Sequence, residues 1–346
     1  MRSTGSCSTS WRRRQRGAVS PGHATGSLDR VTNGTGQGPT SHLLEADGLV
    51  HYADFGGPTD GPLLVGVHGL GGSHLNWSAV APLLVERNRF LAVDLLGHGK
   101  TPAAGRTPDI TSHVALLDGF LRQVSDRPVV LVGNSLGGLV AALCATSAPD
   151  LVAGLVLIDP ALPTARLGMV HPRVMSNFVL CAVPGVGERY LSARRNRTTA
   201  EQTVRRVLRS TCVDPGRVPA DVVDAHIALT VAGDRALGDS AYLASARSLS
   251  WVMARSGPTV MRLADIDRPV LHLHGDRDAL IPLAAARRMA EGRTRWRLEV
   301  ARDIGHAPML EAPVWTALRI QEWLDGDGAD VRSACVQPTG STSPVS

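Results

Sequence analysis

Residues 129–138 read VVLVGNSLGG, and this stretch decides the fold. The apolar run 129–132 predicts a buried strand, and the apolar run 136–147 predicts a helix. Between them lies a GxSxG motif, Gly133 to Gly137, in the strand–turn–helix setting of a nucleophile elbow. Such a sharp turn brings backbone segments together, so side chains larger than glycine at 133 and 137 would clash. We predict that Ser135 presents its hydroxyl at the end of a sheet as a nucleophile.

Apolar runs and helical patterns alternate on both sides of this stretch. Runs without polar alternation predict strands buried on both faces, which is typical of an α/β fold with a mostly parallel central sheet and helices on both faces. The strands are expected at 49–55, 63–68, 90–93, 129–132, 155–158, 270–274 and 297–300. Helices are expected at 110–124, 136–147, 283–291 and 314–324, with a further helical pattern that places Val80, Leu83 and Leu84 on one face.

Residues 161–266 interrupt this alternation with helical patterns alone. We interpret them as a helical cap inserted into a core formed by residues 41–160 and 267–326. One cap helix is predicted near 199–210, because Thr198 and Glu201 have the spacing of a capping box. The cap also carries seven arginines between Arg189 and Arg209. They indicate either attraction for an anionic substrate or membrane surface or, as we prefer, a solvated helix face.

The charge distribution indicates that the folded part is not globally basic. The net charge is +5, and residues 1–40 alone carry six arginines and one acid. We therefore expect no nucleic-acid partner. Residues 1–40 and 327–346 are polar and rich in Ser, Gly, Thr or Pro, and we predict that both are disordered tails.

The cysteine pattern favours a reducing compartment. The five cysteines show no CxxC spacing and their number is odd, so disulfide and metal sites are both weakly indicated. No window reaches 18 apolar residues, and no apolar stretch of signal-peptide length follows Arg12-Arg13-Arg14. We expect a cytoplasmic protein without a membrane span, a metal or a cofactor.

His306 is the candidate base for Ser135. It lies in Gly305-His306-Ala307-Pro308, after the last predicted strand and before the last predicted helix. A serine hydroxyl is a weak nucleophile near neutral pH, and an imidazole has a suitable pKa to accept its proton. A structural histidine is the alternative, since the chain has 12 histidines.

Asp278 is the candidate acid that orients His306. It follows the predicted strand 270–274 in Gly275-Asp276-Arg277-Asp278. A carboxylate here would fix the imidazole tautomer and stabilise the imidazolium. Asp276 and Asp159 remain alternatives, because Asp159 also ends a predicted strand.

Residues 68–72 read HGLGG and follow the first long apolar run. Acyl transfer needs hydrogen-bond donors aimed at the developing oxyanion, and the backbone N–H groups of Leu70 and Leu136 are the natural pair. A phosphate-binding loop is disfavoured, because the segment lacks both GK[ST] and GxGxxG spacing.

These motifs together resemble the α/β-hydrolase family, and most of all its capped bacterial esterases, lipases, C–C hydrolases and cofactor-free haloperoxidases. The matching segments are HGLGG at 68–72, DLLGHG at 94–99, GNSLGG at 133–138, HGDRD at 274–278 and GHAPMLE at 305–311. The resemblance implies a triad of Ser135, Asp278 and His306 with Leu70 and Leu136 as the oxyanion hole. It implies a structural turn at 94–99, in which His98 is not catalytic.

The expected activity is hydrolysis of a small-molecule carboxylic ester with an apolar acyl or alcohol part. Related epoxide hydrolases and haloalkane dehalogenases carry Asp as the nucleophile, so Ser135 argues against both. Related C–C hydrolases of the meta-cleavage type usually have Trp after the catalytic His, where this chain has Ala307. C–C hydrolysis and a non-catalytic ligand-binding role remain the alternatives.

Overall fold

The computed structural model describes residues 38–163 and 180–336. Its centre is an eight-stranded sheet with the order β1-β2-β4-β3-β5-β6-β7-β8. The strands are β1 (Thr40–Glu45), β2 (Leu49–Asp54), β3 (Leu63–Val67), β4 (Arg89–Val93), β5 (Val129–Asn134), β6 (Val152–Ile158), β7 (Val270–Gly275) and β8 (Trp296–Ala301). The tail predicted at 1–40, except for its last three residues, lies outside the described residues.

The sheet is parallel from β4 to β8, and β1 and β2 form an antiparallel edge. Every residue of β5, β6 and β7 is buried, because helices cover both faces. The predicted α/β class and the mostly parallel sheet are therefore confirmed. Two large apolar clusters pack against the two faces of the sheet. Leu131 and Leu157 belong to one cluster and Val132 and Val156 to the other, because successive residues of a strand point to opposite faces.

The core helices are α1 (Ile110–Val124) and α2 (Leu136–Ser147) in the first half. The helices between β6 and β7 are α3 (Val186–Arg197), α4 (Ala200–Thr211), α5 (Ala220–Ala232), α6 (Arg235–Ala254) and α7 (Ser256–Ala264). The last part contains α8 (Leu283–Ala290), α9 (Pro308–Glu311), α10 (Pro313–Asp325) and α11 (Ala329–Val336). Among the described helices, none is both long and apolar enough to cross a membrane.

The structure differs from the sequence-based expectation at both ends of the fold. Residues 329–336 form α11 instead of a disordered tail, because Val331 and Cys335 bury their side chains in the core. Residues 337–346 lie outside the described part. At the other end, β1 begins at Thr40, because it pairs along its whole length with β2.

Two helix predictions were wrong in detail. The pattern at Val80, Leu83 and Leu84 forms no α-helix: Ala81–Leu83 is a short 3-10 turn in which Leu83 is 49% exposed. The capping box is made by Thr199 and Gln202, one residue later than predicted. The Thr199 hydroxyl accepts from the Gln202 N–H at 3.1 Å, and the Gln202 side chain accepts from the Thr199 N–H at 3.0 Å.

Candidate active site

Ser135 sits in the turn between β5 and α2 with φ +53° and ψ −118°. This backbone conformation is strained for a residue with a side chain. The surrounding hydrogen bonds hold it: the Ser135 N–H donates to the Ile158 carbonyl at 3.1 Å, and the Ser135 carbonyl accepts from the Ala161 N–H at 2.9 Å. The predicted strand–turn–helix geometry is present.

The glycines of the motif are required by close backbone contacts. A Cβ at Gly133 would lie 2.6 Å from the Gly137 carbonyl oxygen. A Cβ at Gly137 would lie 2.1 Å from the carbonyl oxygen of Val67, at the end of β3. The predicted steric reason for glycine at both positions is therefore confirmed.

Asp278 and His306 are in direct contact. The Nδ1 atom of His306 lies 2.7 Å from Oδ2 of Asp278. The other oxygen, Oδ1, accepts from the N–H groups of Leu280 at 2.7 Å and Ile281 at 3.0 Å. Burial alone would raise the pKa of Asp278, but the neighbouring His306 and their hydrogen bond outweigh it and lower that pKa. Asp278 is thus an ionised carboxylate aimed at one imidazole nitrogen.

The loop that carries His306 is tied to Ser135's neighbour and to a helix between β6 and β7. The side-chain amide of Asn134 donates to the His306 carbonyl at 3.2 Å. The His306 N–H donates to the carbonyl of Thr211, the last residue of α4, at 2.5 Å. The hydroxyl of Ser135 forms no hydrogen bond with any described group, so the structure does not show a Ser135–His306 bond.

Glu311 also holds the loop that carries His306, a role that the sequence reasoning missed. Its buried carboxylate accepts from the N–H groups of Gly305 at 2.9 Å, Val213 at 3.1 Å and Asp214 at 2.7 Å. One carboxylate therefore joins the His306 loop to the segment after α4. An acid among the apolar residues of GHAPMLE was the available signal.

The loop after β3 lies against the Ser135 side chain. A Cβ at Gly69 would lie 3.2 Å from Cβ of Ser135. The N–H groups of Leu70 and Leu136 donate to no other group in residues 38–163 and 180–336. Both predicted oxyanion donors are thus on backbone segments beside Ser135, with hydrogen-bonding capacity unused by the described protein.

Asp94 holds the segment that follows the loop after β3, and the sequence reasoning did not single out this aspartate. Its buried carboxylate accepts from the backbone N–H of His74 at 2.6 Å and of Lys100 at 2.9 Å. The imidazoles of His51 and His74 approach one of its oxygens at 2.7 and 2.9 Å. Burial would raise the pKa of Asp94, but both histidines outweigh it and hold that pKa well below its usual range.

Residues 94–99 form the tight turn that the resemblance implies. Gly97 and Gly99 have φ +72° and +54°. A Cβ at Gly99 would lie 2.2 Å from Cγ of Asp94, so only glycine fits. His98 is buried there and its Nδ1 contacts the Leu96 carbonyl at 2.9 Å.

The two alternative acids occupy different surroundings. Asp276 is exposed and accepts from the Asp303 N–H at 2.7 Å. Asp159 is fully buried at the end of β6, and its Oδ1 accepts from the Gly275 N–H at 3.0 Å. Of the three aspartates, Asp278 is the one that forms a hydrogen bond with His306.

Two side-chain groups within the described chain have the composition of a metal site. In each, three ligand atoms lie within 4.8 Å of one another. In both groups the carboxylate already accepts hydrogen bonds from imidazoles and backbone N–H groups, which accounts for the clustering. The groups are His51, His74 and Asp94, and Asp159, Asp278 and His306.

Helix α6 lies next to the loop after β3. A Cβ at Gly71, next to Leu70, would lie 3.2 Å from the ring of Tyr242. Burial raises the pKa of Tyr242 to about 12. Farther along α6, the hydroxyl of Ser245 donates to the carbonyl of Pro108 at 2.8 Å. Tyr242 is therefore an apolar surface beside the loop that carries Leu70.

Comparisons with known proteins agree with this fold. A family model described as the alpha/beta hydrolase fold matches residues 62–313. A pimeloyl-[acyl-carrier protein] methyl ester esterase from Aromatoleum aromaticum is 32% identical over 271 residues, which cover 77% of this chain and 99% of that protein. Lipase LipV from Mycobacterium tuberculosis is 41% identical over 105 residues, 30% of this chain and 40% of that lipase.

A solved structure shares the overall fold. The haloalkane dehalogenase DbeA from Bradyrhizobium elkani has a TM-score of 0.73 at 21% identity. The match covers 84% of this chain and 99% of that chain.

Proposed function

Because the chain belongs to the α/β-hydrolase family and is a hydrolase, we propose that it cleaves carboxylic esters through an acyl-enzyme on Ser135. The observation that carries the proposal is the 2.7 Å contact between His306 Nδ1 and Asp278 Oδ2, in a loop bonded to Asn134. The esterase relative, matched over 99% of its length, supports an ester substrate.

In the proposed reaction the Ser135 oxygen attacks the ester carbonyl and His306 accepts the hydroxyl proton at Nε2. Asp278 holds the proton of the imidazole on Nδ1, so that the lone pair of Nε2 faces the serine. The Ser135–His306 hydrogen bond forms when substrate binds, since such bonds are often long before binding. His306 then gives its proton to the leaving alcohol, and water releases the acid from Ser135 by the same route.

The N–H groups of Leu70 and Leu136 stabilise the tetrahedral intermediate in this proposal. Their unused hydrogen-bonding capacity and the contact between Gly69 and Ser135 support the assignment. Backbone donors in fixed positions need no reorganisation as negative charge develops on the carbonyl oxygen, which makes them effective catalysts.

The proposed substrate has an apolar acyl or alcohol part. Tyr242 and the side chain of Leu70 offer apolar surface beside the proposed oxyanion hole. The helices between β6 and β7 act as the cap, and Thr211 of that segment bonds directly to His306. We also propose a cytoplasmic location, which four buried thiols without disulfides support: Cys144, Cys181, Cys212 and Cys335.

The test is turnover of p-nitrophenyl esters with acyl chains of two to sixteen carbons. We expect the wild type to hydrolyse part of the series and S135A to lose activity by about 10³-fold or more. S333A, at an exposed position of α11, is the matched control and is expected to retain activity. Substantial turnover by S135A would refute the assignment of the nucleophile.

A fluorophosphonate probe separates the alternatives if no ester is turned over. Labelling of the wild type but not of S135A would indicate a reactive serine with another substrate, and meta-cleavage dienoates would be tried next. No labelling and no turnover would reject the proposal in favour of a non-catalytic binding protein.

A further inference from the structure

Asp159 is a buried acid that the proposed reaction does not use. It ends β6 with φ +43° and is fully inaccessible to solvent. Oδ1 accepts from the Gly275 N–H at 3.0 Å, whereas Oδ2 receives a hydrogen bond from no donor in the described chain. A buried carboxylate oxygen without a donor is costly, so this group needs an explanation.

Asp159 lies next to the proposed triad. One of its oxygens is within 4.8 Å of an oxygen of Asp278 and of a nitrogen of His306. Asp278 is the better stabilised carboxylate, because it accepts hydrogen bonds from His306, Leu280 and Ile281. Two carboxyl groups this close in a buried site do not both ionise, so the proton belongs on Asp159.

The other groups that face Asp159 do not supply a compensating cation. His274 on β7 places Nδ1 3.4 Å from Asp159 Oδ1, but its Nε2 lies 3.0 Å from the Ile281 carbonyl and carries the ring's single proton. Burial lowers the pKa of His274, so the ring is neutral. Glu311 on α9 adds further negative charge nearby, and Asp278 already takes the hydrogen bond of His306.

We infer that Asp159 is protonated at neutral pH and that its Oδ2–H donates a hydrogen bond to the Asp278 carboxylate. Asp159 is then a positioning residue: it holds Asp278 and shares its charge without touching substrate. This role rests on the proposed function, whereas the protonation itself does not. Burial first, and then the charge of Asp278 and a hydrogen bond to it, raise the pKa of Asp159 well above its usual value, which supports the inference.

Thermal stability measured from pH 4 to pH 7 tests the protonation without any substrate. Because the pKa of Asp159 is raised in the folded state, its contribution to stability is present below the unfolded pKa of about 4 and is lost as pH rises. The amide introduced by D159N is a neutral hydrogen-bond donor that does not titrate, so this variant does not lose stability in this way as pH rises. We expect the Tm of D159N minus that of the wild type to increase on the order of 2 °C per pH unit.

Two further comparisons make the stability test specific. In the D278N background the increase should be smaller, because the neighbouring negative charge is gone while the burial of Asp159 remains. D60N, at an exposed position, should show no pH-dependent difference. A flat difference for D159N would overturn the protonation. An unchanged increase in the D278N background would overturn the contribution of Asp278, because burial alone would then account for the protonation. If D159N does not fold, D159S replaces it, since a hydroxyl also donates without charge.

Kinetics test the positioning role. D159N removes no charge if the inference is right, so the acid limb of its kcat/KM profile should stay within about 0.3 pH unit of the wild type. D159A loses the donor, and its kcat should fall about tenfold with KM little changed. If the midpoint of the acid limb of the kcat/KM profile is about one pH unit lower in D159N than in the wild type, Asp159 is ionised in the wild type. Absent ester turnover would reject the proposed function, while the melting data would still decide the protonation.

Discussion

Replacing Gly137 by alanine tests whether the crowded turn sets both stability and catalysis. The new Cβ would lie 2.1 Å from the Val67 carbonyl oxygen and 2.4 Å from that of His68. Ordinary contact begins near 3.4 Å, so one segment must move by about 1.3 Å. Both partners are backbone, and no side-chain rotation can relieve the overlap.

The movement has a structural cost and a catalytic cost. Overpacking of this kind destabilises a core by about 3 kcal/mol, which corresponds to a Tm lowered by roughly 6–10 °C. The two segments forced apart carry the N–H groups of Leu136 and Leu70. A displacement of about 1 Å there should lower kcat on a p-nitrophenyl ester by about 10²-fold.

The matched control is G238A, inside α6. A Cβ at Gly238 meets no atom within 4 Å, and alanine is the better helix former by about 0.5–1 kcal/mol. G238A should therefore match or slightly exceed the wild-type Tm, with unchanged activity. If G137A melts within about 1 °C of the wild type and keeps kcat within about twofold, the steric reasoning is wrong.

Two buried carboxylates give the remaining predictions. D94N should lower the Tm at pH 7, because its bonds to His51 and His74 are weaker. Since the pKa of Asp94 is lowered on folding, the difference in Tm between D94N and the wild type should shrink as pH falls below about 4. A difference in Tm that is constant with pH would contradict this. E311Q places an amide where a carboxylate accepts three N–H groups. We expect denaturant unfolding to show a destabilisation of about 2–4 kcal/mol, and we expect kcat to be reduced as well. Unfolding at the wild-type midpoint would show that those bonds contribute little.

The order of elements along the chain was readable because its signals are local. The bounds predicted for α1 and α2 match those observed, since each helix has an uninterrupted apolar pattern between clear stops. The β5–Ser135–α2 turn followed from the GxSxG spacing together with the apolar runs on either side of it. The pattern at 80–84 was misread because those residues pack as short 3-10 turns, whose apolar spacing resembles a helix over one turn.

Elements whose stability comes from distant partners were not predicted. β1 forms because β2 supplies its hydrogen bonds, and α11 forms because the core accepts Val331 and Cys335. Neither segment has a strong pattern of its own: composition indicated a tail at 329–336, and no strand was predicted at 41–45. The energy that orders them is tertiary and cannot be found in a local window.

The sequence alone predicted Ser135, His306 and a small set of candidate acids, because these residues follow strands and parallel strands end at one edge of a sheet. Only the tertiary structure shows that Asp278, rather than Asp276 or Asp159, forms the hydrogen bond with His306, since this depends on distances and burial across chain segments far apart in sequence. It also revealed Glu311, Asp94 and Asn134 as the groups that hold the site together. Their roles arise from hydrogen bonds to distant backbone, and a linear pattern does not record which backbone groups a fold will bring to a buried polar side chain.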